Sequence, residues 1–238
     1  TEISVWGRKY SFNCGQTGSQ PLQSMLPAQI TTADAQVLAR PVTMNLASGG
    51  TVASWKEQKV RLVNSSPTRA TLESTAGAET DGWPIRFRTS IKAEYDGLIL
   101  FEITCNKPDQ LPLDGLTLEI PVKAENAVYR HRYGPTWIPT SGNIPPGEGV
   151  VDKTAWVPFV WLGDNDRGLF WFTETDAAWA DGKTENAIEI VRQAHEIILR
   201  LNLLSKDQKL PADWKFVFGL QATPVKPIPK DWRKWRMT

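Results

Sequence analysis

Cysteine and histidine are scarce: Cys14, Cys105, His131 and His195 are the only ones in 238 residues. Two cysteines allow one intramolecular disulfide at most and exclude a zinc site built on thiolates. The alternative is a pair of buried thiols acting as small hydrophobes, which suits Cys105 at the end of an apolar alternation. Two histidines far apart leave little material for a His-centred triad or a histidine-rich metal site. Catalysis, if present, would rest on carboxylates. Charge of one sign is also lacking, with 27 Lys and Arg against 26 Asp and Glu. The chain therefore carries no basic footprint for nucleic acid and no acidic tail. It has no apolar run of membrane length, and it opens at Thr1, so any targeting signal is expected to have been removed or to lie outside this chain. Glycines are scattered, and Gly142-Asn-Ile-Pro-Pro-Gly147 is interrupted by prolines. No P-loop or dinucleotide fingerprint follows a strand, so no nucleotide cofactor is implied.

What is present is period two. Residues of high strand propensity alternate with polar ones between Gly, Pro, Asn and Asp clusters, and long helical patterns are missing. The pattern predicts an all-β chain, a large antiparallel β-sandwich of two packed sheets with long loops, built from a dozen or so strands. Expected strands include Ile3–Phe12, Gln36–Met44, Lys59–Asn64, Ala70–Ser74, Glu196–Leu204 and Trp214–Gln221. Glu174–Lys183 reads as a helix or irregular turn, and Pro135–Asp152 as a long Gly/Pro-rich loop. The sandwich is expected to occupy residues 1–222. Residues 223–238, with three prolines spaced by two or three residues, read as an extended linker toward a further domain, with Trp232 and Trp235 anchored on this domain or the next.

Two hairpins are informative. Between Trp83 and Asn106 the apolar residues are odd-numbered on both strands. A three-residue Tyr95-Asp96-Gly97 loop therefore fits better than a two-residue one, because it pairs Ile91 with Phe101 and Phe87 with Cys105 and sets Gly97 where a positive φ is needed. In the second hairpin, Trp156–Gly163 turns through Asp164-Asn165-Asp166-Arg167 and returns as Gly168–Glu174. If Gly163 pairs with Gly168, one face carries Phe159, Trp161, Phe170 and Phe172, and the other carries Trp156, Val160, Leu162, Leu169 and Trp171. A strand pair apolar on both faces is covered on both sides or presents an aromatic platform to a partner.

Eleven tryptophans suit either core packing or stacking on sugar rings. The carbohydrate reading falls on Trp137, Trp171 and Trp179, in or beside loops or on the doubly apolar hairpin, with Asp164 and Arg167 as polar partners. Asp164, Asp166, Glu174 and Asp176 form the densest carboxylate cluster, and paired carboxylates serve glycoside hydrolysis. Turn chemistry explains the aspartates equally, since their side chains bond nearby backbone N–H groups. Asp164-Asn165-Asp166 also resembles the start of a calcium loop, but Gly168 stands at the third ligand position and Thr175 at the twelfth, so no metal is assigned. Tyr129-Arg-His-Arg-Tyr133 sets cations between aromatics, as a grip on an acidic group or as a solvated strand face.

Leu26-Pro-Ala-Gln-Ile-Thr-Thr-Ala33, Val37-Leu-Ala-Arg-Pro-Val42, Phe159–Glu174 and Gly219–Lys230, in that order, resemble the N-terminal β-sandwich region of bacterial proteins related to glycoside hydrolase family 123. The resemblance implies a TIM-like catalytic barrel downstream that holds the acid pair for N-acetylhexosamine hydrolysis. It implies a non-catalytic accessory domain here, with no catalytic residue carried over, no cofactor, and a periplasmic or extracellular location. The expected partners are that downstream catalytic domain and, in the alternative of an independent carbohydrate-binding module, glycans. A self-contained glycosidase using Asp164 or Asp166 with Glu174 is the third reading.

Overall fold

The computed structural model describes residues 1–238 except 13–15, 18, 19, 22, 24, 81, 108–112, 135, 137, 206–208, 212, 228, 230, 232, 233 and 235–238. In chain order the strands begin with β1 (Glu2–Val5), β2 (Arg8–Ser11), β3 (Gln16–Thr17), β4 (Gln20–Pro21), β5 (Gln29–Thr32), β6 (Ala35–Gln36), β7 (Thr43–Ser48) and β8 (Thr51–Val52). There follow the long strands β9 (Ser54–Ser65), β10 (Arg69–Thr80) and β11 (Trp83–Glu94), then β12 (Leu98–Asn106), β13 (Gly115–Lys123), β14 (Tyr129–Tyr133), β15 (Pro139–Asn143) and β16 (Gly149–Thr154). The chain closes with β17 (Phe159–Gly163), β18 (Gly168–Phe172), β19 (Ile188–Gln193), β20 (Glu196–Leu204) and β21 (Lys215–Thr223).

Two large antiparallel sheets carry the architecture, one ordered β15-β14-β17-β18-β21-β12-β11-β10-β9 and the other β16-β19-β20-β13-β7-β8. The all-β sandwich is thus as the alternation requires. Inward residues come from period-two positions: Phe87, Ile91, Phe101, Ile103, Phe216 and Phe218 on the larger sheet, Met44, Leu46, Leu118, Ile120, Leu199 and Leu201 on the smaller. Phe101 stacks on Phe218 at 4.8 Å, and Phe218 lies 4.7 Å from Phe216. Burial of that much apolar side chain, at roughly 25 cal/mol per Å², is the main force holding the layers together.

The 83–106 hairpin has the expected register, with Ile91 opposite Phe101 and Phe87 opposite Cys105. Gly97 adopts φ +79° and its N–H bonds Glu94 O at 2.9 Å. Elsewhere the strand boundaries differ. The expected single strand Ile3–Phe12 is two strands, β1 and β2, folded back at Trp6-Gly7. β10 runs on to Thr80 because Ser74, Ala76 and Ala78 keep the inward alternation with small side chains that give little hydrophobic signal. The expected loop 135–152 contains β15 and most of β16, each at the edge of its sheet. Edge strands wet on both faces lack an apolar period and tolerate Pro139. Residues 174–183 form turns, without a helix.

A small sheet, β1-β2-β5-β6, closes one end of the sandwich. Arg8, 1% exposed, ties it down: its guanidinium donates to Asp96 O at 2.5 Å, Val225 O at 2.6 Å and Ala222 O at 3.3 Å. Tyr10 adds a bond to Gly97 O at 2.8 Å and accepts one from Ala222 N at 3.0 Å. The segment after β21 is therefore bonded to the sandwich at Val225, and Lys226 lies 5.7 Å over the Trp6 ring. Trp232 and Trp235 lie outside the described residues.

Candidate functional site

The β17–β18 hairpin pairs Gly163 with Gly168 and Trp161 with Phe170, the register its parity requires. Its inner face, with Val160, Leu162, Leu169 and Trp171, is buried. Its outer face is an aromatic platform of half-buried rings. Phe159 lies 5.3 Å from Phe170, 5.0 Å from Tyr133 and 5.3 Å from His131, and Phe170 is 5.7 Å from Phe172. Three glycines let these rings lie flat. A Cβ on Gly219 would overlap the Phe172 ring, and one on Gly163 or Gly168 would overlap Trp161. Trp161 also donates through Nε1 to Thr223 Oγ1 at 3.2 Å. Farther across the same sheet the outer face turns ionic, with Arg61–Glu73 and Arg69–Glu94 pairs at 2.6 and 2.9 Å.

Asp164 behaves as a turn residue. Its Oδ1 accepts from Asp166 N at 2.7 Å and from Arg167 N at 2.8 Å. Asp166 and Arg167 line a pocket of about 430 Å³ with Trp6, Asp34 and the proline-rich segment after β21. Glu174 and Asp176 lie beyond the opposite end of β18 and line a different depression with Trp156. The two acid groups are thus separated by a five-residue strand, on the order of 17 Å. Glycosidase pairs require ~5–9.5 Å.

The tryptophans expected to stack on sugars lie elsewhere. Trp171 and Trp179 are 1% and 5% exposed and meet edge to face at 6.2 Å in the core. Trp179 Nε1 donates to Ala187 O at 3.1 Å. A ring so placed has no free face for a ligand, and the doubly apolar hairpin that suggested Trp171 buries its even-side neighbour as well as the ring itself. Trp137 lies outside the described residues. Among the described tryptophans the most exposed are Trp6, 48% exposed at the tip of the β1–β2 turn, and Trp83, 40% exposed at the start of β11. Sequence reasoning missed Trp6 because it was placed inside a strand, and the Trp-Gly pair was the one available signal of a turn.

Arg130 and Arg132 are largely turned away from solvent. Both turn inward to Asp152 of β16, Arg132 through bonds of 3.1 and 2.9 Å and Arg130 at 2.7 Å, and they join the two sheets at one end. Cys105 is a free thiol, and burial pushes its pKa up to about 12, with nearby Lys107 opposing weakly. Cys14 lies outside the described residues. Among the described residues no three His, Cys, Asp or Glu side chains converge on a metal position, and no helix is long and apolar enough to cross a membrane.

These features define a β-sandwich domain whose surface offers an aromatic platform and a turn-lined pocket. The comparisons then place it. The family model for the third domain of glycoside hydrolase 123 matches residues 1–177, and the chain belongs to that family. Among solved structures it is similar to the alpha-N-acetylgalactosaminidase NagBb from Bifidobacterium bifidum, a quadruple mutant, with a TM-score of 0.63 and 12% identity. The match covers 95% of this chain and 36% of that chain, so this chain spans about a third of that protein's length. At this identity the likeness is one of fold. No curated protein matches.

Proposed function

We propose that this glycoside hydrolase-associated domain is a non-catalytic accessory module that packs, through the outer face of β14, β17 and β18, against a catalytic domain of the same polypeptide. The aromatic platform carries the reading. Tyr133, Phe159, Phe170 and Phe172 form one chain of ring contacts, with Trp161 on the same face, and all five are only partly buried. Such a surface on a free domain is a liability, and against a partner it is an interface core. Its flatness, set by Gly163, Gly168 and Gly219, suits a broad contact better than a ligand cleft. Separation of Asp166 from Glu174 by β18 speaks against the self-contained hydrolase. Residues 223–238 then serve as the linker toward the partner, and a secreted, periplasmic or extracellular bacterial enzyme is the natural setting.

The test uses the natural polypeptide that contains the neighbouring domain. Phe159→Asp with Phe170→Asp should leave the isolated chain folded and lower its binding of a fluorescent apolar dye. In the longer polypeptide the same pair should split one thermal transition into two. A longer polypeptide that keeps a single unshifted transition with both charges in place refutes the interface. Hydrolysis of chromogenic N-acetylhexosaminides of either anomer by the isolated chain would refute the non-catalytic role.

A further inference from the structure

The pocket at the closed end of the sandwich is built from turn tips. Trp6-Gly7 joins β1 to β2, Ala33-Asp34 joins β5 to β6, and Asp166-Arg167 belongs to the β17–β18 turn. The first two are two-residue hairpin loops with both central residues at positive φ: +43° and +77° in one, +47° and +59° in the other. This is the type I′ geometry, whose first central position favours Asn, Asp or Gly. A bulky residue there is a genuine outlier. Trp6 is therefore the wrong residue for its own turn, and its ring is not recovered by burial, since it stays 48% exposed. Four of the five non-glycine residues with positive φ among the described residues, Trp6, Ala33, Asp34 and Asp231, line this one pocket. Strain of this kind concentrates where a surface is shaped for a ligand.

We propose that this pocket binds a sugar residue, with Trp6 as the stacking surface. A half-exposed indole beside carboxylates and a guanidinium is the chemistry that recognises a pyranose: the ring takes the C–H face, the acids accept from hydroxyls and Arg167 donates to a ring or acetamido oxygen, with Lys226, 5.7 Å over the ring, moving aside for the sugar. The volume of about 430 Å³ lies within the ~300–1,000 Å³ range of small-molecule sites. The described lining carries Asp34, Asp166, Asp231 and Arg167, with Lys234 3.1 Å from Asp231 and Lys226 over the Trp6 ring, so groups of both signs surround the indole. Arg167 keeps the binding role expected of it, now beside Trp6. The proposal is independent of the docking reading, since the pocket lies at the turn end of the hairpin and the platform on its face.

The isolated chain is to be titrated with the methyl glycosides of N-acetylgalactosamine, N-acetylglucosamine, galactose and glucuronic acid, by saturation-transfer NMR and calorimetry. At least one of the four glycosides should bind with a Kd on the order of millimolar. Trp6→Gly should reduce that affinity at least tenfold while raising the thermal midpoint by ~2–4 °C, because glycine relieves the turn. Trp83→Ala, at a 40% exposed indole on another part of the surface, should leave the affinity unchanged. Silence of all four sugars to tens of millimolar overturns the site, as does Trp6→Gly with undiminished affinity. The isolated chain suffices for every arm, so failure here is read separately from failure of the interface.

Discussion

Gly97→Ala and Gly82→Ala form a matched pair. Both glycines have φ +79° and each sits in a hairpin turn. An added Cβ at Gly82 meets nothing within 4 Å, whereas at Gly97 it falls 2.6 Å from Cζ and Nη1 of Arg8. Gly82→Ala should lose only the backbone term, about 1–2 kcal/mol for an L-residue in the left-handed region. Gly97→Ala loses that and must also displace a guanidinium. A free arginine would swing away at little cost. Arg8 is 1% exposed and pinned on three carbonyls from two separate segments, Asp96 in one and Ala222 and Val225 in the other. Breaking one such charge-assisted bond in a buried place costs about 1.5–3 kcal/mol. The expected difference is about 2 kcal/mol, or ~0.7 M in a urea midpoint if m is near 3 kcal/mol/M. In an Arg8→Met background the excess at Gly97 should shrink, since the shared partner is gone. Urea unfolding followed by tryptophan fluorescence and far-UV circular dichroism reads all of these variants. A midpoint difference below ~0.15 M between the two glycine variants, about 0.5 kcal/mol, would refute the claim that Arg8 is held in place.

Two further outcomes follow from burial. In a Cys14→Ser background, the Cys105 thiol should be inert to a thiol reagent at pH 8 in the folded chain and react fully in urea. Its folded pKa is raised from 9.0 to about 12, so its contribution to stability is whole below the unfolded value and lost as pH rises from about 9 toward 12; Cys105→Ala should flatten that alkaline decline. Tyr10, raised from 10.0 chiefly by burial, acts in the same direction at higher pH. The double variant Arg130→Ala with Arg132→Ala should cost about 3 kcal/mol by leaving Asp152 buried without either of its arginines, while Arg61→Ala at an exposed pair should change the stability by less than ~0.5 kcal/mol; equal losses would refute the ranking.

The sequence made the faces of the sheets legible wherever an inward side chain was large. Parity alone gives the register Ile91 to Phe101 and Gly163 to Gly168, because a slip of one residue would turn every apolar group of those strands to the wrong side. Where the inward residues are small or both faces are wet, the same rule is silent. Ser74, Ala76 and Ala78 therefore hid the second half of β10, and the edge strands β15 and β16 read as loop. The outer aromatic face was legible as a doubly apolar hairpin. The depth of its two tryptophan layers was not, since alternation tells which rings share a face and not which face the second sheet covers.

The remaining miss has a different cause. Trp6 and Ala33 occupy turn positions at which local propensity asks for Asn, Asp or Gly. A reading based on propensity therefore ran a strand through the first and saw no turn at the second. Local rules and the fold agree through most of this chain, as they do in any sequence with one stable structure. They disagree at three two-residue hairpin tips, Trp6-Gly7, Ala33-Asp34 and Ala194-His195, where a non-glycine residue takes a positive φ, and the first two open on one pocket. Packing does not account for Trp6, because its ring remains half in water, edge-on to Tyr95 at 6.3 Å and under Lys226 at 5.7 Å. A demand on the surface itself would reconcile the conflict there, which is why the pocket beside that ring is the place to look for a ligand.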